Sequence, residues 1–228
     1  MSLLEIKDLK KNFVDPEGGS LRVIDVPRFS IAPAKELALR GTSGSGKTTF
    51  LNLIAGILSA DSGSIAFGGI EVTTLSAAAR DRLRATSIGY IFQTFNLLQG
   101  YTCLENVLLG MSFGPGADRS RACQLLERMG LGKRMDYYPR QLSVGQQQRV
   151  AVARAVANRP KLVLADEPTG NLDHQQSKAA LQLIRDCCLE EKTALLLVSH
   201  DPEVLGQFRE TLDFHQLNRV SEPSTTAP

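Results

Sequence analysis

Apolar residues gather in short unbroken runs at 88–92, 162–165 and 194–198, each closed by polar or turn-forming residues. Runs of that length without alternation read as strands buried on both faces. Longer stretches between them predict helices over 47–57, 119–129, 145–157 and 177–188. Two start signals support that reading. Thr102-Cys-Leu-Glu105 ahead of Val107 has capping-box spacing, and Asp201-Pro202 offers an N-cap followed by proline at the first helical position. Residues 2–40 are strand-like instead: LLEIKDL, LRVIDV and ELALR, with a Pro/Gly break over 15–19 between the first two. Strands alternating with helices imply a mainly parallel sheet covered on both faces. No internal repeat is visible, and the tail 221–228 is expected to be disordered.

Composition narrows the class. The 228 residues suffice for one large domain or two lobes, with a core that needs no disulfide or metal staple. An apolar share of 43% and a charged share of 22% exclude wholesale disorder. The net charge of +2 is small for an electrostatically driven nucleic-acid binder, so no nucleic-acid partner is expected. Cys103, Cys123, Cys187 and Cys188 have neither metal-ligand nor disulfide-framework spacing, which fits a reducing compartment. No apolar run approaches the roughly 20 residues needed to cross a bilayer, and the start MSLLEIKDLKK lacks a leader's apolar region. A cytosolic chain is expected.

Charge is unevenly spread. From Ala85 to Ala117 the only charged residue is Glu105, where the chain average would place about seven. Two readings fit: a buried strand, loop and helix, or an apolar docking surface for a partner.

The strand ends carry the chemistry. ELALR runs into Gly41-Thr42-Ser43-Gly44-Ser45-Gly46-Lys47-Thr48-Thr49, a full match to the phosphate-loop pattern G-x-x-x-x-G-K-[ST]. Its glycines let backbone N–H groups curl around phosphate oxygens, and the following helix aims its positive end at them. Lys47 can reach the β- and γ-phosphates, and the Thr48 hydroxyl can ligate Mg2+. The strand 162–165 ends in Asp166-Glu167. Asp166 suits a Mg2+ ligand and Glu167 a base polarising the attacking water. The strand 88–92 ends in Gln93, whose amide can meet the metal or the water, and 194–198 ends in Ser199-His200. Ligands in open α/β sheets bind beyond the carboxyl ends of the strands, so these groups should converge on one edge as a nucleoside triphosphatase site.

Leu142-Ser143-Val144-Gly145-Gln146 precedes a helix, with Ser143 as N-cap and small residues leaving the helix start open to an anion. The order of phosphate loop, glutamine, S-x-G-Q, Asp-Glu and histidine, over about residues 2–205, resembles the ATP-binding cassette ATPases. The resemblance implies a P-loop core with a mainly parallel sheet, an N-terminal antiparallel β subdomain and an inserted helical subdomain over about 94–145, all within one domain over 1–220. It implies ATP and Mg2+ as cofactors, and a second cassette facing the first head to tail. Each ATP then lies between one cassette's phosphate loop and the other's Ser143, Val144, Gly145 and Gln146. It further implies Glu167 as catalytic base, His200 as γ-phosphate contact, Gln93 beside both, and Asn171, Leu172 and Asp173 along the dimer seam. Phe13 falls where the family places an aromatic against adenine. The Gln93 segment would meet a separately encoded transmembrane subunit, placing this chain peripherally on the inner face of the membrane. IGYIFQTFNLL, TCLENV and ADEPTGNLD are most similar to the cassettes of lipoprotein-release, macrolide-export and cell-division complexes.

Four departures stand out. Val144 replaces the usual signature glycine, Phe13 the commoner tyrosine, and Ala34-Lys35 the glycine that usually precedes the glutamate. Residues 203–219 fit the family poorly. The alternatives are a cassette ATPase of chromosome or repair machinery, which would need a long coiled coil between Thr48 and Leu142 or DNA-binding additions, and a non-hydrolysing regulatory module, which Lys47, Asp166, Glu167 and His200 disfavour.

Overall fold

The computed structural model describes residues 2–14 and 18–220; part of the 15–19 break and the whole 221–228 tail lie outside these. Two sheets hold the molecule together. An antiparallel sheet in the order β2-β1-β4-β5 is built from β1 (Leu4–Val14), β2 (Ser20–Ile31), β4 (Ser62–Phe67) and β5 (Ile70–Glu71). A parallel sheet in the order β6-β7-β8-β3-β9 comprises β3 (Glu36–Arg40), β6 (Ile88–Ile91), β7 (Leu162–Asp166), β8 (Ala194–Ser199) and β9 (Thr211–Asp213).

The unbroken apolar runs are explained by what covers each face. Successive side chains of a strand point to opposite sides, and both sides are buried here. Leu162, Leu164, Leu196 and Val198 face one core, with Leu37, Leu39 and Phe50, between the two sheets. Val163, Ala165, Leu195 and Leu197 face a second core under the helices. The first core encloses α1 (Lys47–Ile54), whose Phe50 ring meets Phe29 edge-on at 5.3 Å and Phe214 at 5.4 Å. The second is roofed by α3 (Cys103–Ser112), α4 (Arg119–Arg128), α5 (Val144–Val156) and α6 (His174–Glu190). Ahead of α3 lies α2 (Ala77–Ser87), and after β8 come α7 (Pro202–Leu205) and α8 (Phe214–Leu217).

The start signals act as expected. Thr102 and Glu105 close a reciprocal capping box on α3, and Asp201 caps α7 with Pro202 in its first turn. Ser143 and Gln146 form a second capping box on α5, and Asp173 caps α6. The low-charge stretch supplies core, with β6 buried throughout and α3 burying Cys103, Leu104, Val107 and Met111, while Leu98, Tyr101 and Phe113 are exposed. At the β2–β3 turn the backbone turns left-handed at Ala34, with φ 55°, a conformation that glycine would adopt at less steric cost. No helix among the described residues is long and apolar enough to cross a membrane.

Candidate functional site

The carboxyl ends of β3, β6, β7 and β8 meet at a cavity of about 270 Å³, lined by Val23, Ser43, Gly44, Gly46, Lys47, Thr48, Thr49, Gln93, Asp166, Glu167 and His200. The fold thus brings the loop, the glutamine, the acid pair and the histidine to one place. Gly46, the residue before α1, holds φ 95°, and a Cβ there would come within 3.0 Å of the Val23 carbonyl oxygen. Only glycine fits both demands.

Lys47 is buried at 6% exposure, and its ammonium donates to the carbonyl oxygens of Gly41 at 2.7 Å and Thr42 at 2.6 Å. Burial lowers its pKa, and the nearby Glu167 and Asp166 carboxylates oppose that. The Glu167 carboxylate lies 4.0 Å from the ammonium. Glu167 itself has a left-handed backbone, φ 46°, uncommon for a residue with a Cβ and typical of sites where function dictates side-chain direction. His200 Nδ1 lies 2.8 Å from one carboxylate oxygen, and the Ser199 hydroxyl donates to the other at 3.2 Å. Ser199 was legible only as the neighbour of His200; its hydroxyl is a further member of the site.

Asp166 is buried at 6% exposure; burial pushes its carboxyl pKa up, against the pull of a hydrogen bond from the Thr48 side chain. Thr48, Gln93 and Asp166 offer a hydroxyl, an amide and a carboxylate, a hard-oxygen donor set that suits Mg2+ sharing its shell with phosphate oxygens. No cluster of three or more His, Cys, Asp or Glu among the described residues could hold a metal alone.

The remaining expected site residues lie elsewhere. Phe13 is the penultimate residue of β1, opposite Leu21 and 39% exposed, with the Lys11 ammonium 5.6 Å from the centre of its ring; it does not line the cavity. Ser143, Val144, Gly145 and Gln146 start α5 and do not line it either. At Gly145 the nearest neighbour is the end of the Gln176 side chain on α6, which a Cβ there would displace. Asn171 Nδ2 donates to the Gln93 carbonyl at 2.8 Å, and Asp173 caps α6. Leu172 lines a neighbouring cleft with Glu167 and His200.

These features define an ATP-binding cassette. The ABC transporter family model matches residues 24–170. The chain is 39% identical over 225 residues to the lipoprotein-releasing system ATP-binding protein LolD of Pseudomonas fluorescens, covering 96% of this chain and 98% of that one. It is 43% identical over 214 residues to the macrolide export ATP-binding/permease protein MacB of Syntrophobacter fumaroxidans, covering 90% of this chain but only 29% of that longer protein. The fold matches the ATP-binding cassette MJ0796, solved as a dimer in a post-hydrolysis state bound to ADP and Pi, with TM-score 0.84 and 32% identity over 92% of this chain and 93% of that one. The chain belongs to the ABC transporter family, as an ATP-binding cassette of the ATPase class. Chromosome machinery is not favoured by these relatives.

Proposed function

We propose that the chain is the ATP-hydrolysing subunit of an envelope transport complex of the lipoprotein-release or macrolide-export type, working with a separate membrane subunit at the inner face of the membrane. The observation that carries the catalytic reading is the Glu167 carboxylate, 2.8 Å from His200 and 4.0 Å from the Lys47 ammonium. Lys47 exchanges its carbonyl partners for the β- and γ-phosphates, which the loop N–H groups cradle. Glu167 accepts the proton of the attacking water. His200, tied to Glu167 through Nδ1, leaves Nε2 for the γ-phosphate, and Ser199 steadies the carboxylate. Mg2+, held by Thr48 and Asp166 with Gln93 alongside, would neutralise phosphate charge.

Because Ser143–Gln146 lie outside their own chain's cavity, they are assigned to the ATP of a second copy, with Asn171, Leu172 and Asp173 along the seam and Phe13 against adenine. The membrane subunit is assigned to a groove of about 630 Å³ lined in part by Ile57, Tyr90, Phe92, Asn96, Gly110 and Phe113. Glu167→Gln should bind ATP, accumulate as an ATP-bound dimer and lose hydrolysis by about 100-fold or more. Hydrolysis near the wild-type rate would remove Glu167 as the base.

A further inference from the structure

Residues 213–218, part of the 203–219 stretch that fits the family poorly, sit against the outside of the phosphate loop. Four residues tie them there. Asp213 accepts from Arg40, the residue just before Gly41, at 2.7 Å. That guanidinium holds the Asp213 carboxyl below the ordinary carboxylate range. Phe214 is fully buried beneath the loop, where a Cβ on Gly41 would lie 3.3 Å from Phe214 Cβ. His215 Nε2 is 3.0 Å from the Thr42 hydroxyl. Asn218, 5% exposed, accepts from the Asp25 N–H at 2.7 Å and donates to the carbonyls of Val23 at 2.9 Å and Ser45 at 3.3 Å.

The last contact has a geometric effect. In a planar trans peptide the C=O and the following N–H point in opposite directions. Tying the Ser45 carbonyl outward to Asn218 therefore turns the Gly46 N–H inward, towards the cavity that Gly46 lines. Asn218 also holds Val23, whose carbonyl approaches Gly46 most closely from β2. His215 fastens the other end of the same loop at Thr42.

We propose that Asp213–Asn218 is a clamp on the phosphate loop, in which Asn218 is a positioning residue that aims the Gly46 N–H at a nucleotide phosphate and His215 fixes Thr42. The proposal rests on the cassette reading above. The loop's donors are then preset before nucleotide arrives, and ordering them costs less on binding.

The test is titration of wild type and variants with fluorescent ATP and ADP analogues, with thermal unfolding run in parallel. Asn218→Ala should weaken both nucleotides about tenfold, the loss of one well-placed hydrogen bond. Asn218→Asp keeps the size and the acceptor for Asp25 N–H but loses the donors; it should weaken binding as much as alanine, whereas a space-filling role would leave it at wild-type affinity. His215 is exposed, so His215→Ala tests the second anchor without burying a defect. It should weaken binding about threefold, and Thr42→Val with His215→Ala should lose no more than either alone, since both remove one contact. Binding by wild type carries the cassette reading. Wild-type affinity in Asn218→Asp and His215→Ala would overturn the clamp and leave that reading standing.

Discussion

Arg154 on α5 donates to the carbonyl oxygen of Phe95 at 2.7 Å and to that of Asn96 at 2.6 Å. Both acceptors have left-handed backbones, φ 59° and 49°, so one partly buried cation holds two consecutive residues in a conformation that costs about 1 kcal/mol each. Burial lowers the guanidinium's pKa, and the two carbonyls offset that desolvation. Gln93 is two residues upstream, so the helix that begins at the signature also fixes the glutamine loop. Arg154→Met is expected to lose about 2 kcal/mol of stability and Arg154→Lys about half of that, since a single ammonium cannot reproduce the fork. Urea midpoints check this; an unchanged midpoint for Arg154→Met would sink it.

The groove assigned to the membrane subunit makes a separate claim. Phe113 is 70% exposed on its wall and Leu98 43% exposed nearby in sequence. Phe113→Asp and Leu98→Asp should leave ATP affinity and basal hydrolysis within about twofold, because surface changes are nearly neutral for folding. Both should abolish recovery of the protein with native membranes. Weakened ATP binding instead would mean that this stretch serves the core alone.

Thiol chemistry separates the cysteines. Cys103, Cys187 and Cys188 are buried, and burial pushes all three thiols up, away from the reactive thiolate. Cys123 is only partly covered. Native protein should therefore show at most one fast-reacting thiol towards an aromatic disulfide, and denatured protein four. Rapid labelling of Cys187 or Cys188 in the native state would contradict the packing of α6.

Acid stability turns partly on Asp61. Its carboxylate accepts from the Lys11 ammonium at 2.8 Å and from the Asn12 N–H at 2.6 Å, joining β1 to the start of β4, and these bonds lower its pKa. A depressed folded pKa stabilises fully above the ordinary carboxylate value of about 4 and is lost as pH falls through the folded value. Asp61→Asn should therefore be less stable than wild type at neutral pH, with the gap closing below about pH 4. Unfolding midpoints against pH measure it, and a gap that stays constant into acid would refute the assignment.

The strands that end in chemistry were readable because their apolar runs are short, unbroken and followed by residues of a different kind: Gly41, Gln93, Asp166 and His200. The hairpin of β4 and β5 was not read, although Gly68-Gly69, both at positive φ, is a two-residue turn signal between strand-like residues. Helix α2 buries no residue, so it offered no apolar stripe to find. His174 to Glu190 extended the 177–188 helix at its start because Asp173 was read as a seam residue rather than as the N-cap it also is. Nothing local marks Arg154, His215 or Asn218; each bonds to atoms more than fifty residues away, Arg154 and Asn218 to backbone carbonyls and His215 to the Thr42 hydroxyl.

The strand order also bears on the order of synthesis. β3 leads directly into the phosphate loop, yet its two neighbours are β8 and β9, residues 194–199 and 211–213. A ribosome delivers the loop early and its flanking strands some 150 residues later. The nascent chain therefore carries a complete phosphate-binding motif with no sheet to support it. Closing the sheet around the loop is thus a long-range step, the slow kind in folding, and the loop's support depends on strands made late in the chain.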